Sequence, residues 1–344
     1  MKSFVARAIA PAAIAALASA CSQVKVSVPV MRPAEVNMAG YHSIAVGGLN
    51  GSGHELMAAA LEEGLVKSER FQVVDREHLA QVMRELRLSA SDLADPSKAS
   101  ALGKQVTANA LIFGNVDERY KEDKSEESFS DKGGVRHVIH KLHGQARVVA
   151  TLKVTDVATG ALIVAKSFDE KCEDTNTGVD EAPKAIDRDG LSKQARTTIL
   201  NAFLHAIVPH KEILDASFFT HGDLPQLETG IGYAKRGDWK KAQETFNATI
   251  QDAERNPKIS TQVLGKAYWN LALAYEYSGD YDKATALVDK AYQLTQDGDM
   301  LAEQDNIKRL QSDQRKLAEQ IGQKFETTGG AVNASTNEVV REKK

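Results

Sequence analysis

The turn "KRGDWKKA" at residues 235–242 returns as "YSGDYDKA" at 277–284, 42 residues later. An internal repeat constrains a chain more than an isolated motif does, because each unit is one helical hairpin that must stack on its neighbour to bury its apolar face. In each copy a glycine turns the chain, and Ala242 or Ala284 is small enough to let paired helices approach closely. The flanking positions agree. Gly230, Tyr233, Gly237, Trp239, Ala242 and Phe246 in the first unit alternate small, aromatic and large side chains at helical spacing. Leu271, Ala272, Tyr275, Gly279, Tyr281, Ala284 and Ala291 do the same in the second.

This pattern resembles the tetratricopeptide repeat, whose usual period is about 34 residues. The excess length falls in "NPKISTQV", between the units. Residues 222–325 are therefore expected to form an all-α domain, in which "MLAEQDNIKRLQSDQRKLAEQI" is a capping helix, and 326–344 a disordered tail. The resemblance implies a small concave surface for a peptide segment or partner subunit. Its candidate protein-binding residues are the aromatics of the repeat signature: Tyr233, Trp239, Phe246, Tyr268, Tyr275 and Tyr281.

Upstream the elements alternate, the pattern of an α/β domain, here expected over 43–210. "SIAV" reads as a strand, and 54–67 as a helix with Leu56, Met57, Ala60, Leu61 and Leu65 on one side. "RFQVVD" is the next strand and "REHLAQVMRELRL" the next helix. Asp95 and Pro96 open a short helix ending near Val106, and "NALIFGNVDERY" is a buried strand. Val138, Leu142, Gly144, Ala146, Val148, Ala150, Leu152 and Val154 recur at period two, which predicts one long strand turned back by "VATG" into "ALIVAKSFDEKC". A helix over 187–209, with Leu191, Ala195, Ile199, Ala202, Phe203, Ala206 and Ile207 on one side, closes the domain.

Within this stretch Val73, Val74, Asp75 and Arg76, then Leu102, Gly103, Lys104, Ala108, Ala110 and Gly114, resemble the motifs of the CsgG-like curli assembly and secretion lipoproteins. The resemblance spans about residues 32–208. It implies an α/β (α+β) domain with a mixed sheet and flanking helices, side-by-side association into a homo-oligomeric ring, and, in the members that secrete curli subunits, two membrane hairpins per subunit. The matching places here are 119–145 and 169–190, and neither carries the apolar face of a membrane strand. Both are expected to be surface loops or an extended hairpin in the periplasm.

The glycine-rich "GGLNGSG" between strand and helix invites a phosphate reading. Spacing argues against it. From Gly51 and Gly53 the third glycine of a dinucleotide fingerprint falls at Leu56, and from Gly48 a P-loop register reaches Gly53 but continues with His54 and Glu55. "RHVIHKLH" invites a metal reading, yet on a strand His137 and His143 share one face and His140 takes the other. Ser52 lacks the first glycine of G-x-S-x-G, since Asn50 stands there. With no nucleophile and base, metal cluster or cofactor loop in view, the chain reads as a binding and assembly protein rather than an enzyme, with no cofactor and no bound metal.

The N-terminus "MKSFVARAIAPAAIAALASAC" has Lys2 and Arg7, an Ala-rich apolar stretch too short to span a membrane, and then Cys21. It resembles a bacterial lipoprotein signal over 1–20, although Ala18 stands where that pattern prefers Leu. The resemblance implies lipidation of Cys21, and Ser22 after it implies the outer membrane. Residues 21–42 then form the lipidated cysteine and an extended tether, with the option of an edge strand. Cys172 is the one other cysteine of the 344 residues, and 43 basic residues against 47 acidic give no excess for nucleic acid. The expected protein is an outer-membrane-anchored periplasmic scaffold for assembly or secretion, with a protein partner. The alternatives are a lipoprotein regulator of a peptidoglycan synthase and a CsgG-type secretion pore subunit.

Overall fold

A computed structural model describes residues 22–89, 92 and 95–323. The signal segment, Cys21 and the tail over 326–344 lie outside the described residues. The chain divides into two compact units. One comprises residues 32–210 and 316–323, and the other, among the described residues, 22–31 and 211–315.

The first unit is built on a five-stranded mixed sheet of order β3-β2-β4-β5-β6. β2 (Ser43–Asn50) lies parallel to both β3 (Gln72–Val74) and β4 (Ala110–Ser130), while β4, β5 (Arg136–Asp156) and β6 (Leu162–Val179) run antiparallel in turn. Strand alternation sends side chains to two cores. Ile44, Val46 and Ile112 pack with Met57, Leu61 and Leu65 of α1 (His54–Lys67) and with Ala195, Ile199 and Phe203 of α4 (Arg188–Ile207). Ala45, Leu111 and Phe113 pack with Leu79 and Val82 of α2 (Arg76–Glu85) and Leu102 of α3 (Pro96–Gln105). The sheet is thus covered on both faces, which is why residues 44–46 of β2 and 110–113 of β4 read as unbroken apolar runs.

Local signals set the boundaries. Asp95 caps α3, its carboxylate accepting from the Ser97 amide with Pro96 just inside the helix, and Asp187 caps α4 by accepting from Gly190. Two apolar positions differ from the expected faces. Leu56 on α1 is 58% exposed and Ala202 on α4 is exposed, because the buried stripes run through Met57, Ala58, Leu61 and Leu65, and through Ser192, Ala195, Ile199 and Phe203. At the end of α9 (Gly298–Ile321), the Gln320 side chain is buried against residue 34, donating to the Ala34 carbonyl and accepting from its amide, both at 2.8 Å.

Residues 119–130, 136–145 and 169–179 are regular strand, and 131–135 is the turn between the first two. They carry β4, β5 and β6 outward as a three-stranded antiparallel ribbon, paired from Ser130 with Arg136 and from Ile139 with Val179 inward. Residues 169–179 therefore extend β6 along β5 instead of forming a hairpin of their own, and 180–187 is irregular chain leading to α4.

The second unit pairs β1 (Ser22–Arg32) with β7 (His210–Thr220) in a two-stranded sheet and adds α5 (Gln226–Ala234), α6 (Trp239–Arg255), α7 (Thr261–Glu276), α8 (Tyr281–Thr295) and most of α9. Residues 22–32, expected as an extended tether with the option of an edge strand, form β1, whose Val26 and Val28 are buried with Phe218, Leu227, Ile231 and Phe246. Asn270 on α7 clamps β7 by accepting from the Phe219 amide and donating to its carbonyl, both at 2.8 Å, and Trp269 Nε1 donates to the Ser217 carbonyl at 2.9 Å.

Candidate functional site

The two repeated turns fold alike, residue for residue. Gly237 and Gly279 both take positive φ, 72° and 89°, which a side-chain-bearing residue adopts at a cost. The next residue, Asp238 or Asp280, donates its amide to the Tyr233 or Tyr275 carbonyl (3.1 and 3.0 Å) and caps the following helix by accepting from the Lys241 or Lys283 amide. Each lysine then pairs with its capping aspartate (3.2 and 2.7 Å) and lies over the tyrosine ring one helix earlier (5.6 and 5.1 Å). Ala242 and Ala284 are fully buried, as the close approach of paired helices requires.

The six signature aromatics divide into two groups. Phe246 and Tyr281 belong to the core: Phe246 stacks on Phe218 at 6.0 Å and Tyr281 is 5% exposed. Tyr233, Trp239, Tyr268 and Tyr275 are half-buried and keep one side open. Trp239 stacks on Tyr277 at 5.7 Å. Tyr268 donates to Glu254 Oε1 at 2.7 Å, and burial first, then this carboxylate, push its hydroxyl up to about 12.

The glycine segment is narrower than its sequence implies. Gly47 and Gly48 lie within β2, whose register shifts between Val46 and Leu49, and the turn itself is residues 51–53. Gly51 has φ 98°, and a Cβ there would sit 2.0 Å from the Val116 carbonyl oxygen. Ser52 Oγ donates to Asp117 Oδ1 (3.1 Å) and accepts from the Glu118 amide (2.7 Å), so β4 and two carboxylates flank the turn. Glu118 is held by Arg196 of α4 at 2.5 Å.

At the ribbon the three histidines reach three different partners. His137 Nδ1 meets Asp180 Oδ2 at 2.5 Å, His140 Nδ1 meets Glu126 Oε1 at 2.9 Å, and His143 Nδ1 meets Thr175 Oγ1 at 3.0 Å. The Asp180 contact is the main reason that His137 is raised above the usual imidazole range. Among the described residues, no group of three or more His, Cys, Asp or Glu is arranged to hold a metal ion, and no helix is long and apolar enough to cross a membrane. Cys172 is a free, half-buried thiol raised by burial and then by Glu170.

Comparison with known proteins gives two family matches. Residues 9–245 match the family described as "Curli production assembly/transport component CsgG", and residues 228–319 match a domain of unknown function, DUF6340. The helical region thus matches a family with no assigned role, and the tetratricopeptide reading rests on the repeat pattern alone. Among solved structures, LpoB from E. coli is 16% identical over 49% of this chain and 82% of its own, with a TM-score of 0.26. Lipoprotein GNA1162 from Neisseria meningitidis is 10% identical over 47% of this chain and 97% of its own, with a TM-score of 0.27. The hypothetical protein CT253 from Chlamydia trachomatis is 11% identical over 38% and 72%, with a TM-score of 0.23. No curated protein sequence matches this chain.

Proposed function

Since this chain belongs to the CsgG family by a match over residues 9–245, we propose that it is a non-enzymatic assembly or secretion scaffold of the bacterial envelope. It is anchored by lipid at Cys21 to the periplasmic face of the outer membrane, self-associates through its α/β unit, and binds a protein partner through its repeats. The family match carries this reading, since the family is described by assembly and transport. The N-terminal sequence supports the anchor, because a cysteine directly after a positively charged start and an Ala-rich stretch has the layout of a lipoprotein signal. Four half-buried rings on two identically built repeats support the partner surface, since exposed aromatics on a rigid scaffold are the usual anchors of protein interfaces. The tetratricopeptide assignment is part of the same proposal and rests on the matched turns.

The test combines the anchor and the partner surface in whole cells. A photo-crosslinking amino acid placed at Tyr268 is expected to give a discrete adduct with an envelope protein. The Cys21→Ser chain is expected to leave the membrane fraction and lose that adduct. A Cys21→Ser chain that stays in the membrane fraction, or a wild-type anchor with no adduct from Tyr268, contradicts the reading.

A further inference from the structure

The repeat unit buries a carboxylate that no donor reaches, beside a second carboxyl, Glu303, with which it shares a hydrogen bond only when one of the two is protonated. Glu276, the last residue of α7, is 2% exposed, and with both carboxyls ionised neither of its oxygens accepts a hydrogen bond. It lines a cavity of about 240 Å³. The charged and titratable groups facing it come from every neighbouring element: Asp215 on β7, Tyr277 at the cap of α7, and Glu303 and Arg309 on α9. Burial first, then Glu303, holds the Glu276 carboxyl well above the ordinary carboxylate range, and burial raises Glu303 as well. Arg309 acts in the opposite sense on both, yet its guanidinium donates to Asn306 Oδ1 at 3.1 Å. Asp215 accepts from Ser27 at 3.0 Å.

Three carboxylates against one guanidinium leave the cavity short of positive charge. Two glutamates side by side in a buried site cannot both ionise cheaply, and a cation placed between them removes that penalty. The cation is organic, since the described residues offer no group of three metal ligands. It is also small, since the cavity lies below the roughly 300 Å³ at which drug-sized ligands begin to fit. Leu214, Leu273, Leu310 and Trp269 supply apolar walls beside the carboxylates, which suits a charged head on an aliphatic stem.

We propose that this cavity is a binding site for the lysine side chain of a partner protein, its stem along Leu214, Leu273 and Leu310 and its ammonium group between Glu276 and Glu303. The inference goes beyond the scaffold reading and stands on the cavity alone. Binding ionises Glu276, so the ammonium group enters as one proton leaves to solvent.

Calorimetry on the full chain in detergent tests this with the peptide Ac-Gly-Lys-Gly-NH2, its Nε-acetylated form and putrescine. The lysine peptide is expected to bind one to one, more tightly near pH 8 than near pH 6, with proton release seen as a buffer-dependent heat. Acetylation of the lysine, Glu276→Gln and Glu303→Gln are each expected to weaken binding by about tenfold or more, the loss of one charged hydrogen bond. A thermal melt shows that each variant is folded. If Glu276→Gln does not fold, Glu303→Gln and the acetylated peptide decide. Equal binding of the acetylated peptide, no saturable heat with the lysine peptide, or binding of putrescine alone overturns the proposal.

Discussion

Gly51 shows how much one residue fixes at the sheet-to-helix joint. Its φ of 98° and the Val116 carbonyl 2.0 Å from any added Cβ forbid a side chain for two independent reasons. Gly51→Ala is therefore expected to cost more than about 1 kcal/mol in chemical denaturation. An unchanged midpoint would mean that the turn relaxes freely. The role of this glycine was only half legible in sequence. The absent lysine after Gly53 argued against a P-loop register, but nothing local revealed that Gly47 and Gly48 continue β2 or that β4 closes over the turn. Glu276 was illegible for a related reason. "AYEYSG" reads as an ordinary acid on a helix face, and its burial depends on β7 and α9, which lie far away in the chain.

At the scale of elements, what was readable was whatever depends on neighbours in sequence. The period-two run of β5 announced a long strand, and Arg136–Asp156 is one. The outer half of β4 is polar on both faces and gave no such sign. It is a strand because β5 pairs with it residue for residue out to Ser130. β7 went unread, since "HKEILDASFFT" alternates weakly and its partner β1 is nearly two hundred residues away. The repeat turns were the most legible element of the candidate site, because cap, glycine and ion pair all lie within five residues. The ribbon tip carries a pH dependence. His137 is raised chiefly by Asp180, and Asp180 is lowered first by the Val138 amide and then by His137, so with Asp180 ionised the pair is fully formed below the unfolded imidazole pKa of about 6.5 and is lost as pH rises through the raised folded value. Hydrogen exchange at the Val138 amide, which donates to Asp180 Oδ1 at 2.7 Å, is expected to show less protection above neutrality than below it, after correction for intrinsic rates. Protection that rises with pH would contradict the pairing.

For the whole molecule, the family match is to a component of assembly and transport, and the proposal adds a lipid anchor and self-association through the α/β unit. The near balance of 43 basic and 47 acidic residues sets no large electrostatic barrier between copies. The central claim is thus most directly met by one measurement, the mass of the purified acylated chain in detergent by light scattering corrected for bound detergent. The account predicts a defined multiple of the protomer mass that persists on dilution. A protomer mass at every concentration would contradict it.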